Sequence, residues 1–411
     1  MFAHDPLGAF ERVRDNFILF LLTAFRTRSP WLDREREDLL RRTGEFVQEP
    51  FVEPRLKYRG ATAVSALGEN DLPNMVPVAR TAFKALLGAV LFPGESARLY
   101  DHQAAMLRLV LGGSNGVVTT GTGSGKTEAF LMPLLARLVN ERFTRRKRNP
   151  GMRAVVLYPM NALVEDQLNR LRVVLDSDPA RKWRADYKVP YPVTFARYNS
   201  LTPVPGYQFK CEDGDKTDPT GEENDAKVDR LREELRGISR ASAGLDRLIQ
   251  AAEGRVRQAN GEKELATARE ELDRLREARS FIPRYGSTGD GAELVSRWDI
   301  QASPPDILVT NFSMLSIMLM RAIEAQIFDQ TREWLKTDPD AVFHLVVDEL
   351  HLYRGTAGTE VAYLVRLLLD RLGIHPNHNK LRIVASSASL GYGAEATEFL
   401  AGFFGCEWSA E

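Results

Sequence analysis

Cysteine is scarce in this chain. Cys211 and Cys406 are the only two in 411 residues. Far apart in sequence, they exclude a disulfide framework and point to a reducing compartment. Charge of one sign is lacking too: 55 basic residues meet 56 acidic ones, for a net charge of −1. No whole-molecule field draws in a polyanion, so any basic surface must be local. Long apolar runs are also missing. Phe17 to Phe25 is interrupted by Thr23 and falls well short of the ~20 residues a bilayer span needs. No small-residue cleavage site follows it, so a signal peptide is excluded and a cytoplasmic location is expected. Histidine is rare as well. His375 and His378 have ligand-like spacing, but no cysteine or acidic cluster accompanies them, and the pair reads as a loop. What remains is an ordinary globular composition, 44% hydrophobic and 27% charged, long enough for two or three domains of ~100–200 residues.

The most informative stretch runs from Thr119 to Thr127, Thr-Thr-Gly-Thr-Gly-Ser-Gly-Lys-Thr. Gly116-Val117-Val118 before it is short, apolar and β-branched, which predicts a buried strand. The segment from Glu128 to Leu138 predicts a helix. A glycine loop between strand and helix is the setting of a phosphate-binding loop. Gly121, Gly123 and Gly125 let the backbone curl so that its N–H groups point inward, with Thr120, Thr122 and Ser124 completing the loop. The helix N-terminus adds a positive dipole end. Lys126 is placed to reach the β- and γ-phosphates of a nucleoside triphosphate, and the Thr127 hydroxyl to hold Mg²⁺. Thr120 stands where a small Gly or Ala is usual.

Taken in order, the chain divides into four parts. Residues 1–80 are helical over 7–43 and then proline-rich and extended. Residues 81–209 open an α/β pattern. After an apolar helix at 81–92 comes Arg98-Leu-Tyr-Asp-His-Gln103, in which the Gln103 amide matches the N6/N7 edge of adenine. A run with five basic residues, Glu141 to Arg148, reads as a solvated loop, with a nucleic-acid contact as the competing reading. Strands are expected at Ala154–Tyr158 and Val193–Ala196. Residues 210–290 interrupt the pattern. Lys210 to Ala226 reads as an acidic linker. It leads into a seven-residue repeat through Leu231, Leu235, Ile238, Leu245 and Ile249 that breaks at Asn260-Gly261. This predicts a coiled-coil hairpin of helices at 226–259 and 262–279. Residues 291–411 resume the pattern with strands at Ile307–Val309, Phe343–Val347 and Leu381–Ala385. Alternating strands and helices predict a parallel sheet with helices on both faces and ligands beyond the C-terminal strand ends.

Every chemical motif falls at such an end. Asp348 follows an apolar strand and is placed to hold the metal of a bound triphosphate through water. Glu349 beside it is placed to orient and deprotonate an attacking water. Ser387 and Ser389 end the last strand, where their hydroxyls are in position to bond His351 or Asp348 and couple hydrolysis to another surface.

Six motifs in order resemble superfamily 2 DEAD/DEAH-box helicases: Gln103; Thr-Gly-Thr-Gly-Ser-Gly-Lys-Thr; Pro159-Met-Asn-Ala-Leu with Asp166-Gln167; Thr310-Asn311; Asp348-Glu-Leu-His351; and Ser387-Ala-Ser389. The likeness is nearest to the branch of Hrq-like helicases and large phage-defence helicases. It implies a RecA-like first motor lobe that binds and hydrolyses ATP with Mg²⁺. Met160, Asn161, Ala162, Thr310 and Asn311 would line the path of one nucleic-acid strand, DNA in preference to RNA. Ser389 replaces the usual Thr and Leu350 the usual Ala, both mild changes. The family's second lobe, with its arginine-bearing motif, has no counterpart here, so a longer product or a partner chain is expected to supply it. The function expected is the motor lobe of a DNA helicase or translocase. The alternative is an ATP-gated module that docks a partner through the hairpin.

Overall fold

The computed structural model describes residues 5–42, 44–51, 58–92, 97–121, 123–211, 219–259, 261–284, 291–391 and 393–409. It has two compact units, Met1–Lys57 and Tyr58–Glu411. In the first unit, α1 (Pro6–Ala24) starts where the Asp5 carboxylate accepts the Gly8 N–H at 2.9 Å. A proline in the first turn loses no helical donor there. The same proline start opens α2 (Pro30–Arg41), and Phe17 stacks on Phe46 at 5.4 Å.

The second unit begins with β1 (Gly60–Ala63) and α3 (Pro77–Leu86), which runs on as a π-helical turn to Leu91. Strand β2 (Arg98–Tyr100) pairs antiparallel with β1 and leads into α4 (Asp101–Leu111). Then come β3 (Gly116–Thr119), α5 (Lys126–Thr144), β4 (Ala154–Tyr158), α6 (Asn161–Asp176), α7 (Asp178–Asp186) and β5 (Phe195–Tyr198). The strand expected at Val193 starts two residues later. Thr194 is held back by Asp306, which accepts from both its N–H and its hydroxyl.

The acidic linker expected over 210–226 instead contains a short antiparallel pair, β6 (Phe209–Cys211) with β7 (Pro219–Glu223). Local pairing satisfies the main-chain groups that an open linker would leave to water. Residues 212–218 lie outside the described residues. Two helices follow, α8 (Asp225–Gln258) and α9 (Glu262–Ser280). Ion pairs Arg255–Glu271, Glu253–Arg276 and Asp246–Arg279 show them antiparallel. Gly261 precedes the second helix, while Asn260 is outside the described residues.

The chain then adds α10 (Arg297–Ala302), β8 (Ile307–Asn311), α11 (Phe312–Met320), α12 (Ala325–Thr337), β9 (Phe343–Val347), α13 (Gly355–Arg371), β10 (Leu381–Ser387) and α14 (Ala394–Phe404). The helical stretch after β8 is not continuous. It breaks at Arg321, in extended backbone, and a 3₁₀ turn over Ala322–Glu324 leads into α12.

Six strands form one parallel sheet in the order β3-β10-β9-β4-β8-β5. Strands β4 and β9 are buried at every residue, as a sheet covered on both faces requires. Successive side chains enter opposite layers. Val156, Val309, Val346 and Val384 pack with Phe130, Leu134 and Leu138 of α5. Val155, Leu308, Leu345 and Ile383 pack with Leu315, Phe328, Val365 and Phe404 of α11 to α14. The expected α/β sheet with helices on both faces is what the chain forms.

At the end where the strands begin, buried Asp306 collects Arg142, Arg148 and both donors of Thr194. Burial alone would raise its carboxyl, but Arg142, Arg148 and Arg153 hold it well below the usual aspartate range. Arg145 pairs with Asp338. The run expected as a solvated loop thus has two of its cations, Arg145 and Arg148, tied down as structural clamps. It lies at the edge opposite the motifs. Among the described residues no helix is long and apolar enough to cross a membrane, and no cluster of His, Cys, Asp and Glu is fit to hold a metal.

Candidate nucleotide and nucleic-acid site

Strand β3 delivers the glycine loop and α5 closes it. Gly123 and Gly125 take φ of 77° and 74°, left-handed backbone that glycine adopts without strain. Gly125 is constrained twice, because a Cβ there would come within 2.4 Å of Gln103 Nε2. The Thr120 and Ser124 hydroxyls are 2.6 Å apart, and Ser124 is fully buried. Lys126 is 9% exposed, and its amine has no hydrogen-bond partner among the described residues. A buried ammonium without a partner is costly unless an anion completes it. Thr127 is half-buried on the first turn of α5. Thr122 lies outside the described residues.

Gln103 is not placed as an adenine reader. It is 1% exposed; its Oε1 accepts the Tyr100 N–H, and its Nε2 donates to the Gly125 carbonyl, both at 3.0 Å. Both ends of the amide are committed to main chain, so the residue braces the loop. Three rings stand beside it, with Tyr58, Tyr100 and His102 centroids 5.5–5.7 Å apart. The Tyr58 hydroxyl accepts the Gly121 N–H at 3.1 Å, and His102 Nε2 lies 2.9 Å from the Ser124 carbonyl. Burial depresses the His102 imidazole first, and the Ser124 carbonyl opposes that shift. Sequence reasoning missed Tyr58, which sits in a proline-rich stretch without periodicity.

Asp348 and Glu349 follow β9. Strand β10 lies between β9 and β3, and Ser387 is in register with Thr119 while Ala385 is in register with Val347. Asp348 is therefore two strand spacings, about 10 Å, from the start of the loop and on the same sheet edge. Its Oδ1 accepts the Glu349 N–H at 2.9 Å and the hydroxyl of Ser386. Burial and then the Asp348 charge push the phenols of Tyr158 and Tyr353 well above their ordinary range. Both stay protonated beside the carboxylate. Glu349 takes φ of 51°, a left-handed conformation uncommon outside glycine. Its buried Oε2 lies 3.3 Å from His351 Nδ1 and accepts no hydrogen bond among the described residues.

The expected bonds from the Ser387 and Ser389 hydroxyls to His351 or Asp348 do not form. The Ser387 hydroxyl accepts the N–H groups of Ser389 and Leu390 and caps the strand end. The links run through their neighbours: the Ser386 hydroxyl to Asp348, and the Ala388 N–H to His351 Nδ1 at 3.4 Å. Ser386 was visible as the first residue of a Ser-Ser-Ala-Ser run, but its role depends on strand register.

Met160, Asn161 and Ala162 are exposed at the start of α6. The Asn311 amide donates to Asn161 Oδ1 at 2.6 Å and its Oδ1 caps α11 at the Met314 N–H, so two motifs far apart in sequence meet. Thr310 does not join them. It is fully buried, and its hydroxyl donates to the Tyr198 carbonyl at 2.6 Å, tying β8 to β5. Behind this surface, Arg172 of α6 grips Glu293 through two hydrogen bonds of 2.7 and 2.8 Å and donates to the Phe281 carbonyl just past α9.

Residues 100–189 match the DEAD/DEAH box helicase family. Druantia protein DruE of Escherichia coli (strain UMEA 4076-1) is 36% identical over 402 residues. The match covers 94% of this chain and 20% of that protein, so the chain spans about a fifth of its relative's length. Among solved structures, the DUF1998 helicase MrfA bound to DNA and AMPPNP aligns at TM-score 0.41 and 18% identity, over 85% of this chain and 30% of that one. The DEAD-box helicase Mss116 bound to ssRNA and UDP-BeF aligns at TM-score 0.39 and 12% identity, over 84% and 44%. The stretch from Tyr100 to Val189 thus resembles DEAD/DEAH box helicases, and most of the chain is similar to about a fifth of Druantia protein DruE.

Proposed function

We propose that this chain is the ATP-binding lobe of a motor that moves on DNA. The observation that carries the reading is the Lys126 amine, buried without a partner among the described residues beneath a left-handed glycine loop, on the sheet edge that also holds Asp348. These residues fit a triphosphate: an amine to meet its charge, curled main chain to meet its oxygens and a helix N-terminus behind them. In this reading Thr127 and Asp348 hold the Mg²⁺ of bound ATP. Glu349, held out of the usual backbone regions with an unbonded carboxylate oxygen, accepts the proton of the attacking water. Asn161 and Asn311, with Met160 and Ala162, contact the phosphates of one strand. His351 reports nucleotide state to the β10 loop through Ala388. We assign the arginine-bearing second lobe to further polypeptide, in the same product or in a partner.

The test is magnesium-dependent binding of a fluorescent ATP analogue. Lys126→Ala should abolish saturable binding while the circular dichroism spectrum is unchanged, and binding that survives the substitution would refute the site. A second reading, an ATP-gated docking module, is favoured by the projecting pair α8–α9, in which few side chains are fully buried. Deleting residues 226–279 separates the two. Lost partner capture with intact ATP affinity favours docking, whereas intact DNA-stimulated turnover in the presence of the second lobe favours the motor.

A further inference from the structure

At the sheet edge opposite the glycine loop, the face beneath α5 changes character. Along β9 and β10 this face is apolar at Val346 and Val384. Two residues earlier, His344 and Arg382 stand opposite each other in register, and partners in register point to the same face. Arg137 of α5 and Lys380 join them around a cavity of about 260 Å³. Gly113, at φ 108°, lets the Arg382 guanidinium lie close against its turn.

The charge in this cavity is poorly neutralised. Arg137 donates to the Asp340 carbonyl at 2.6 Å, and Arg382 donates to the carbonyls of Asn379 and Leu381. Neither forms an ion pair among the described residues. The acids that face Arg137 are Asp340, whose carboxylate is largely exposed, and Asp338 and Glu141, which Arg145 and Arg153 already engage. Lys380 donates to the carbonyls of Leu335 and Asp338. His344 is 2% exposed, and its Nδ1 has no hydrogen-bond partner among the described residues. Burial first, and then the charges of Arg137 and Arg382, push its imidazole down to about 3. Burial and then Arg137 lower the Arg382 guanidinium in turn. Cations set side by side around a neutral imidazole are stabilised by an anion that enters between them.

We propose that this cavity is a second anion site, separate from the glycine loop, that takes a phosphate group. The Arg137 and Arg382 guanidiniums supply the forked donors that match phosphate oxygens, and the neutral His344 ring donates from Nδ1. The phosphate comes either from a free phosphate or pyrophosphate, or from the backbone of a nucleic-acid strand crossing this edge.

The test uses the full chain with Lys126→Ala, which silences the glycine loop, titrated calorimetrically with sodium pyrophosphate at low salt. Saturable binding is expected. Arg382→Gln should weaken it about tenfold, and Arg137→Gln by a similar factor, because each removes a charge-assisted hydrogen bond. A short oligothymidylate is the second arm: if it competes, the site holds a strand's backbone, and if it does not, the site holds free phosphate. A third measurement needs no variant. On the unsubstituted chain, pyrophosphate should slow modification of Arg137 and Arg382 by phenylglyoxal, read by peptide mass spectrometry. Absence of saturable binding, unchanged affinity when Arg137→Gln and Arg382→Gln are combined, or absence of protection at both arginines would each overturn the proposal.

Discussion

Gln103 and Gly125 define each other. The amide nitrogen of one donates to the carbonyl of the other at 3.0 Å, and the same nitrogen fills the space a Cβ at position 125 would need. Gly125→Ala therefore meets both a left-handed backbone and a steric clash. We expect a loss of about 1–3 kcal/mol in stability together with lost nucleotide binding, checked by thermal unfolding and analogue titration. Gln103→Ala on the glycine background should loosen the loop and weaken nucleotide binding without that strain.

Lys126 carries an opposite expectation for stability. Its buried amine has no hydrogen-bond partner among the described residues, so Lys126→Met removes a desolvated charge. Unfolding in denaturant without ligand should show stability unchanged or raised. Saturable nucleotide binding should be lost, as with Lys126→Ala, because the charged hydrogen bonds to phosphate go with the ammonium.

Asp306 anchors the opposite edge. Asp306→Asn leaves Arg142 buried without its counter-charge, and we expect a loss of about 3–5 kcal/mol by urea unfolding. The pH dependence follows in sign. Arginines hold the folded carboxyl below its unfolded value. Its stabilisation is thus complete above the unfolded aspartate pKa of ~3.9 and lost as the pH falls below it. The Asn variant should lack that acid limb.

Thr310 and Asn161 separate structure from strand contact. Thr310→Val removes a buried hydroxyl and leaves the Tyr198 carbonyl short of a donor, costing about 1–3 kcal/mol. Affinity for single-stranded DNA should hold. Asn161→Ala, on an exposed turn, should leave unfolding unchanged and weaken strand binding, read by fluorescence anisotropy.

The sheet was legible because Ala154–Tyr158 is apolar throughout and Phe343–Val347 is broken only by His344, as a strand covered on both faces requires. The helix pair was legible because Leu231 through Ile249 keep one spacing for several turns and lose it at Asn260-Gly261. What composition could not carry was register and partnership. Ser386 rather than Ser387 meets Asp348 because Ala385, not Ser386, pairs with Val347, and a strand shifted by one residue presents the other face. Arg145 and Arg148 looked like a free basic run because Asp338 and Asp306, which neutralise them, stand far along the chain. Tyr58 carries no periodic signal at all; only the folded chain brings its hydroxyl to Gly121.

That phenol changes what ligand entry means at the loop. Its oxygen already accepts the amide hydrogen at Gly121, so an arriving oxyanion trades places with a built-in surrogate instead of organising a slack turn. In the proposed site the cradle therefore keeps its curvature without ligand, and entry would exchange one acceptor for another.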